Sequence, residues 1–270
     1  MLCWGPTVTN IPNSSVAGNV GVWSSGGANA ITGFISSPGN SVFDPQVSGG
    51  TVQAGTTSGV SNTMQAQLQL TSAINNLSSL GIGTLEPADL GGLTLTPGVY
   101  TVPAGTTNLS STLILDGQGN ANATWVFELP STLITSPFSS VQILNTGTHA
   151  GVFWNVGSSA TIDNNTTFLG NILAHTSITL NTAATDVSGR LLASTGAVTL
   201  SQNILSQSNG GLSGGLNVSP LGSVSFLPFV PVTSVPELST YLLLLLGAAV
   251  IWLKSGKPVK VSGDFAELCI

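Results

Sequence analysis

Charge is what this chain lacks most. Only 5% of its 270 residues are Asp, Glu, Lys or Arg, where a soluble domain usually carries about a quarter. Ahead of Val235 there are seven acids (Asp44, Glu86, Asp89, Asp116, Glu128, Asp163, Asp186) and a single base, Arg190. That balance excludes a nucleic-acid partner, since phosphate recognition needs clustered Lys and Arg. Cysteine is nearly absent: Cys3 and Cys269 stand near opposite ends, which excludes a disulfide framework and leaves open whether the two pair. His149 and His175 are the only histidines, and neither has the spacing to Cys, Asp or Glu that a metal site needs. No basic segment followed by an apolar stretch opens the chain, so no export signal is visible.

Catalytic chemistry is as sparse as charge. Glu86 and Asp89 are close in "LEPADLGG", but that stretch reads as a turn before a strand. "DGQGN" (116–120) has calcium-like letters without the further acids of a calcium loop, and reads as a tight turn. Glycan hydrolysis or lysis needs clustered carboxylates or bases, and none is seen. A sugar-binding platform needs exposed rings, whereas Trp125 and Trp154 sit in apolar runs that read as core. No catalytic residue, metal or cofactor is expected.

What the chain has in quantity is Gly, Ser, Thr and Asn together with 41% hydrophobic residues, too apolar for disorder. These residues repeat. "SATI" (159–162), "SITL" (177–180) and "AVTL" (197–200) align, placing Thr161, Thr179 and Thr199 in one column. "GNILA" (170–174) aligns with "GRLLA" (189–193). A spacing near 20 residues marks a solenoid whose coils bury their apolar sides by stacking. The β-branched, alternating segments make each coil a set of short strands, hence a β-helix.

Alternation then divides the side chains. In the first strand type Ile172, Ala174, Leu191 and Ala193 point inward, while Leu173 and Leu192 point out and need cover. In the second, Ile162, Ile178, Leu180, Val198 and Leu200 are inside. Ser159, Thr161, Ser177, Thr179, Ala197 and Thr199 are outside. In the third, Phe168, Val187 and Ile204 are expected inside, with Thr167, Leu169, Asp186, Ser188, Asn203 and Leu205 outside. The cover for Leu173 and Leu192 is a helix over 63–80, with Leu70, Ala73, Ile74, Leu77 and Leu80 at helical spacing. Ser61 or Thr63 caps its start and Gly81 its end.

The stretches "LGGLTLTPGVYTV" (90–102), "LILDGQGNANATWVFEL" (113–129), "STLIT" (131–135), "VFWNVGSSATI" (152–162) and "GRLLASTGAVTLSQNI" (189–204), with echoes in "TVTN" (7–10) and "SSVAGNVGV" (14–22), carry a likeness. Over about residues 6–205 the chain resembles the bacterial and fungal ice-binding proteins. The resemblance implies a mainly β fold, a discontinuous right-handed β-helix of three faces with one long helix alongside, and an ice crystal as partner. Two departures stand out. The strand the family places before "TVTN" is replaced here by "MLCWGP", which suggests a truncated start. Ile114 stands where threonine is common.

Ice offers a regular water lattice without charge or pocket, so a face that binds it should be flat, weakly hydrated and repetitive. Stacked strands place neighbouring coils about 4.8 Å apart and alternate side chains about 6.7 Å apart along each strand. Threonine, stiff at χ1, shows a methyl and a hydroxyl. The expected face is therefore Ser159, Thr161, Ser177, Thr179, Ala197 and Thr199, extended by Thr7 and Thr9. Thr182 and Thr185, in "TAAT", resemble a turn motif at the ice face of some relatives.

The domain is expected to end near 206, followed by a Gly/Ser/Pro-rich linker (207–234) and an apolar tail (235–270). "VPELSTYLLLLLGAAVIWLKSGK" (235–257) resembles a PEP-CTERM sorting tail, although Leu238 replaces the usual second proline. That resemblance implies export, exosortase-type processing and attachment at the envelope, with the protein secreted or envelope-associated; a monomer is expected. The rival reading is an envelope-anchored structural or adhesive β-helix that binds a polysaccharide or another cell.

Overall fold

The computed structural model describes residues 2–232 apart from 12, 37–41, 56–61, 104, 207–210 and 220–222. The tail 235–270 lies outside the described residues, as does Ser61. Three parallel sheets run the length of the domain and form the sides of a β-helix. A typical coil passes from Thr124–Leu129 in the first sheet to Leu133–Thr135 in the second and Ser140–Thr146 in the third, then turns into Gly151–Val156 of the first.

The stacking is discontinuous. Thr7–Asn10 of the second sheet pairs with Ala197–Leu200 on one side and with Ile31–Thr32 on the other. The first coils therefore close one end of the stack, and the coils beginning at Thr84 start from the opposite end. The helix α1 (Asn62–Ser78) carries the chain between them. Its 17 residues rise about 1.5 Å each, roughly 25 Å, the height of about five strand spacings. Gln67 fixes α1 to the carbonyl of Ser194 at 2.8 Å, and Asn155 Nδ2 fixes its other end to Ser78 Oγ at 2.9 Å. Gly81, at φ +85°, supplies the left-handed turn that stops the helix.

Two cores result, on either side of the first sheet. The inner one runs along the axis and contains Ile172, Ala174, Leu191, Ala193, Ile162, Ile178, Leu180, Val198 and Leu200, all buried as the alternation requires. Phe127 stacks on Trp154 at 4.0 Å, and Trp154 meets Phe168 at 5.0 Å. The indole N–H groups of Trp125 and Trp154 donate to the Leu95 and Leu169 carbonyls, so neither ring is a surface platform. The outer core joins Leu70 and Leu77 of α1 to Val126, Leu173 and Leu192, so the helix covers the expected side.

Three expectations are corrected. In the third sheet Phe168 pairs in register with Asp186, Asp186 with Leu205, and Leu205 with Val16. That column is the buried one: Asp186 and Leu205 lie inside with Ser188 and Asn203, while Val187 and Ile204 are exposed (36% and 59%). Leu169, expected outside, is buried as well. A shift of one residue inverts every side chain of a strand, and these strands are only two residues long. Second, Leu2–Gly5 does form the strand expected to be lost, pairing with both Leu191–Ala193 and Asn19–Trp23. Backbone bonding does not depend on those side chains, and Cys3 is small and apolar enough to be fully buried in the inner core. Third, the expected linker is in part integrated into the domain. Leu212 joins the inner core, and Leu216–Val218 pairs with Val224–Phe226 as a hairpin.

Candidate functional site

The outer side of the second sheet carries a continuous row. In register, Thr32 lies beside Thr9, Thr9 beside Thr199, Thr199 beside Thr179 and Thr179 beside Thr161. Five threonines thus stand one coil apart, over roughly 19 Å at the usual strand spacing. The row continues into Ile134 and Asn108. A second row follows from the same registers: Thr7 pairs with Ala197, and Ser177, Ser159 and Thr132 extend it. Thr161, Thr179 and Thr199 are half-buried by their neighbours, which leaves part of each side chain at the surface. Thr32 Oγ1 donates to Thr9 Oγ1 at 3.3 Å.

The structure therefore brings Thr7, Thr9, Ser159, Thr161, Ser177, Thr179, Ala197 and Thr199 together on one side. Thr182 and Thr185 are elsewhere. Thr182 is exposed in the turn between the second and third sheets, with its hydroxyl 3.3 Å from Ser201 Oγ. Ala183 takes φ +59° in that turn and Ala184 is buried. Thr185 already belongs to the third sheet, beside Thr167.

Sequence reasoning missed Thr32 and Thr132. For Thr32 a signal existed: "AIT" (30–32) has the pattern of "AVT" (197–199) and "TVT" (7–9).

The corner between the second and third sheets is built from stacked turns of one backbone type. Asn165, Ala183, Gln202 and Asn13 all take positive φ in successive stacked turns. Asn203 Nδ2 donates to the carbonyls of Asn181 and Ala184 at 2.8 and 2.9 Å, and Asn181 Nδ2 donates to Asp163 Oδ1 at 2.9 Å. Buried polar groups bonded in this way specify one geometry. Asp163, the acid near this edge, is thereby engaged by the corner.

Residues 4–206 match the ice-binding-like family. The chain belongs to that family. It is 42% identical to an ice-binding protein of Nostoc sp. (strain HG1) over 203 residues, which are 75% of this chain and 69% of that protein. Among solved structures it is similar to the ice-binding protein of the Antarctic ascomycete Antarctomyces psychrotrophicus, with a TM-score of 0.62 and 31% identity over 77% of this chain and 93% of that one. The DUF3494 domain of Shewanella frigidimarina ice-binding protein 1 gives a TM-score of 0.67 at 25% identity, over 77% and 93% of the two chains. The fold of this ice-binding-like chain is thus the one its sequence implied.

The remaining ionisable groups support the fold. Arg190 donates to Asn171 Oδ1 at 2.9 Å and to Ser213 Oγ, in the segment that leads into the C-terminal hairpin. Burial lowers its pKa, and the charge of Asp186 opposes that shift. Burial pushes the Asp186 carboxyl up to about 8, against N–H donors from Ser188 and Gly170 that lower it. Gly189 packs beside it, and an added Cβ there would lie 1.8 Å from the Gly170 carbonyl. This accounts for glycine at the start of "GRLLA". Glu128, raised by burial, accepts from Asn155 Nδ2 at 2.8 Å beneath α1. His149 and His175 are exposed. No group of three or more His, Cys, Asp or Glu that could hold a metal ion occurs among the described residues.

Proposed function

We propose that this protein binds ice crystals through the outer side of its second sheet, as an exported monomer that performs no catalysis. The observation that carries the reading is the unbroken row Thr32, Thr9, Thr199, Thr179 and Thr161, with Thr7, Ala197, Ser177 and Ser159 beside it. Each threonine holds one methyl and one hydroxyl at a fixed χ1, and the backbone repeat fixes the next one. Water can therefore order over the methyls and accept or donate at the hydroxyls at regular intervals. Neither row contains an ionised side chain to hold water in a competing arrangement. Family membership supports the same reading, since the similar proteins named above bind ice.

Thr182 and Thr185 extend the face as its rim. The sequence of the tail supports retention at the cell envelope with exosortase-type processing. The adhesive, polysaccharide-binding alternative gains nothing from Trp125 and Trp154, which are fully buried.

The test is partition into a slowly growing ice front. Wild-type protein should enter the ice, and the Thr179→Tyr/Thr199→Tyr variant should stay in the liquid with an unchanged melting curve. Exclusion of the wild type overturns the function. Entry of the double variant overturns the face.

A further inference from the structure

The second sheet does not account for the segment from Leu216 to Val232. Its hairpin rests on the outer core through Leu216. The chain then crosses the corner that joins the third sheet to the first. Ala121 N–H donates to the Val230 carbonyl at 2.6 Å, Val232 N–H to the Gly119 carbonyl at 2.8 Å, and Asn122 Nδ2 to the Pro228 carbonyl at 2.9 Å. The backbone is held, yet Val218, Phe226, Leu227, Phe229, Val230 and Val232 are exposed, Phe229 to 62%. A fixed apolar patch of this kind marks an interaction surface.

Charge, continuity and position identify the partner. No Asp, Glu, Lys or Arg occurs between Arg190 and Glu237, so the segment 216–232 has no charge to keep in water. Asp116, at the same corner, is occupied by the Gln118 N–H and Asn145 Nδ2. Val232 leads into a sequence whose apolar run, Tyr241–Leu253, is followed by Lys254, Lys257 and Lys260. Those 13 residues are fewer than the ~20 consecutive apolar residues that a membrane span needs. Lysines at that end suit a cytoplasmic headgroup layer. Apolar contact from the domain itself would add interfacial binding that so short a run lacks. Finally, each coil passes through the first, second and third sheets before reaching this corner, so the corner lies opposite the second sheet.

We propose that this corner rests on a lipid bilayer, with Phe226, Leu227, Phe229 and Val230 in the headgroup region and the threonine face turned away from the membrane. The inference rests on the envelope-retention reading above and adds an orientation to it: the cell would present its ice-binding side outward.

The experiment uses the full chain with Cys269→Ser and an environment-sensitive fluorophore on Phe229→Cys. Cys3 is fully buried and stays unlabelled. A twin carries the label on Thr179→Cys, and Val232→Cys serves as a second patch position should Phe229→Cys perturb the fold. On vesicles of phosphatidylcholine and phosphatidylglycerol, iodide quenching should fall several-fold at 229 and 232 and stay unchanged at 179. Equal quenching at patch and face, in protein that floats with the vesicles, overturns the contact and leaves retention standing. A chain that does not float overturns both. Low quenching at 229 before vesicles are added means that the chain's own residues 233–270 cover the patch, which also overturns the contact. Ice partition of the unlabelled chain, measured separately, keeps any of these failures distinct from failure of the ice-binding reading.

Discussion

The first and second sheets have the same strands-in-register architecture and opposite outer sides. Outside the first sheet, Val126, Leu173 and Leu192 meet Leu70 and Leu77 of α1. Outside the second, at the same height, stand Thr161, Thr179 and Thr199, over which no described element packs. The backbone does not distinguish the two sides, so the outward residues decide which becomes core and which stays a surface. A row of leucines recruits a helix because burying each such side chain contributes about 1.5–3 kcal/mol. A row of threonines gains too little from burial to recruit anything, and stays flat and uncovered.

Substitution on the bare side should have the largest functional effect and almost none on stability. Thr179→Tyr places a ring in the middle of the row, between Thr161 and Thr199. Ice-recrystallisation inhibition should weaken by an order of magnitude or more. Unfolding free energy should move by no more than about 0.5 kcal/mol, as for other surface changes. A variant that loses stability along with activity would show that this side is structural.

The covered side should respond in the opposite way. Leu173→Ala or Leu77→Ala opens a cavity under α1 and should cost about 2–4 kcal/mol. Below the new melting temperature, ice activity per folded molecule should match wild type, because the second sheet is untouched. Denaturant unfolding and recrystallisation assays on the same preparation separate the two effects. Loss of activity in fully folded Leu173→Ala would couple the sides and end the comparison.

How much of this contrast the sequence reveals depends on strand length. Thr161, Thr179 and Thr199 are legible because each is the middle of an aligned apolar–Thr–apolar triplet, and both flanking residues are buried as expected. Leu173 and Leu192 are legible because two inward neighbours bracket each of them. The third sheet offers no such bracket. "TDVS" presents a valine that invites burial and an aspartate that invites exposure, and the structure reverses both. Only the register with Phe168 and Leu205 decides the matter, and register between distant coils is a property of the stack. Thr32 lies in a strand remote in sequence from the repeats at 159–200, and only the pattern that "AIT" shares with "TVT" and "AVT" ties it to the row.

Asp186 extends the comparison to a third side, where a carboxyl group occupies an inward position. Its pKa is pushed up to about 8 from 3.8 by burial. The folded state therefore favours the protonated acid, and the unfolded chain ionises more readily. Stability from this group is complete below about pH 4 and declines as pH rises, until the folded carboxyl itself ionises near pH 8. Asp186→Asn removes that titration. Its melting temperature relative to wild type should rise steadily from pH 4 to pH 8 and then level off, while ice activity at a fixed temperature does not change. A parallel pH dependence in both proteins would refute the buried acid.

The smallest expected effect tests where the bare side ends. Ile134 continues the threonine row beyond Thr161 and is 40% exposed, with Leu133 buried beside it. Ile134→Thr keeps β-branching and strand preference, so folding should be unaffected within about 0.5 kcal/mol. If the repeat of methyl and hydroxyl is what ice recognises, lengthening it by one coil should improve recrystallisation inhibition up to a few-fold. If the isoleucine already supplies the useful part, its methyl groups, activity should hold or fall. That outcome would shift the explanation for the threonine row from paired methyl and hydroxyl to flatness and apolar contact alone.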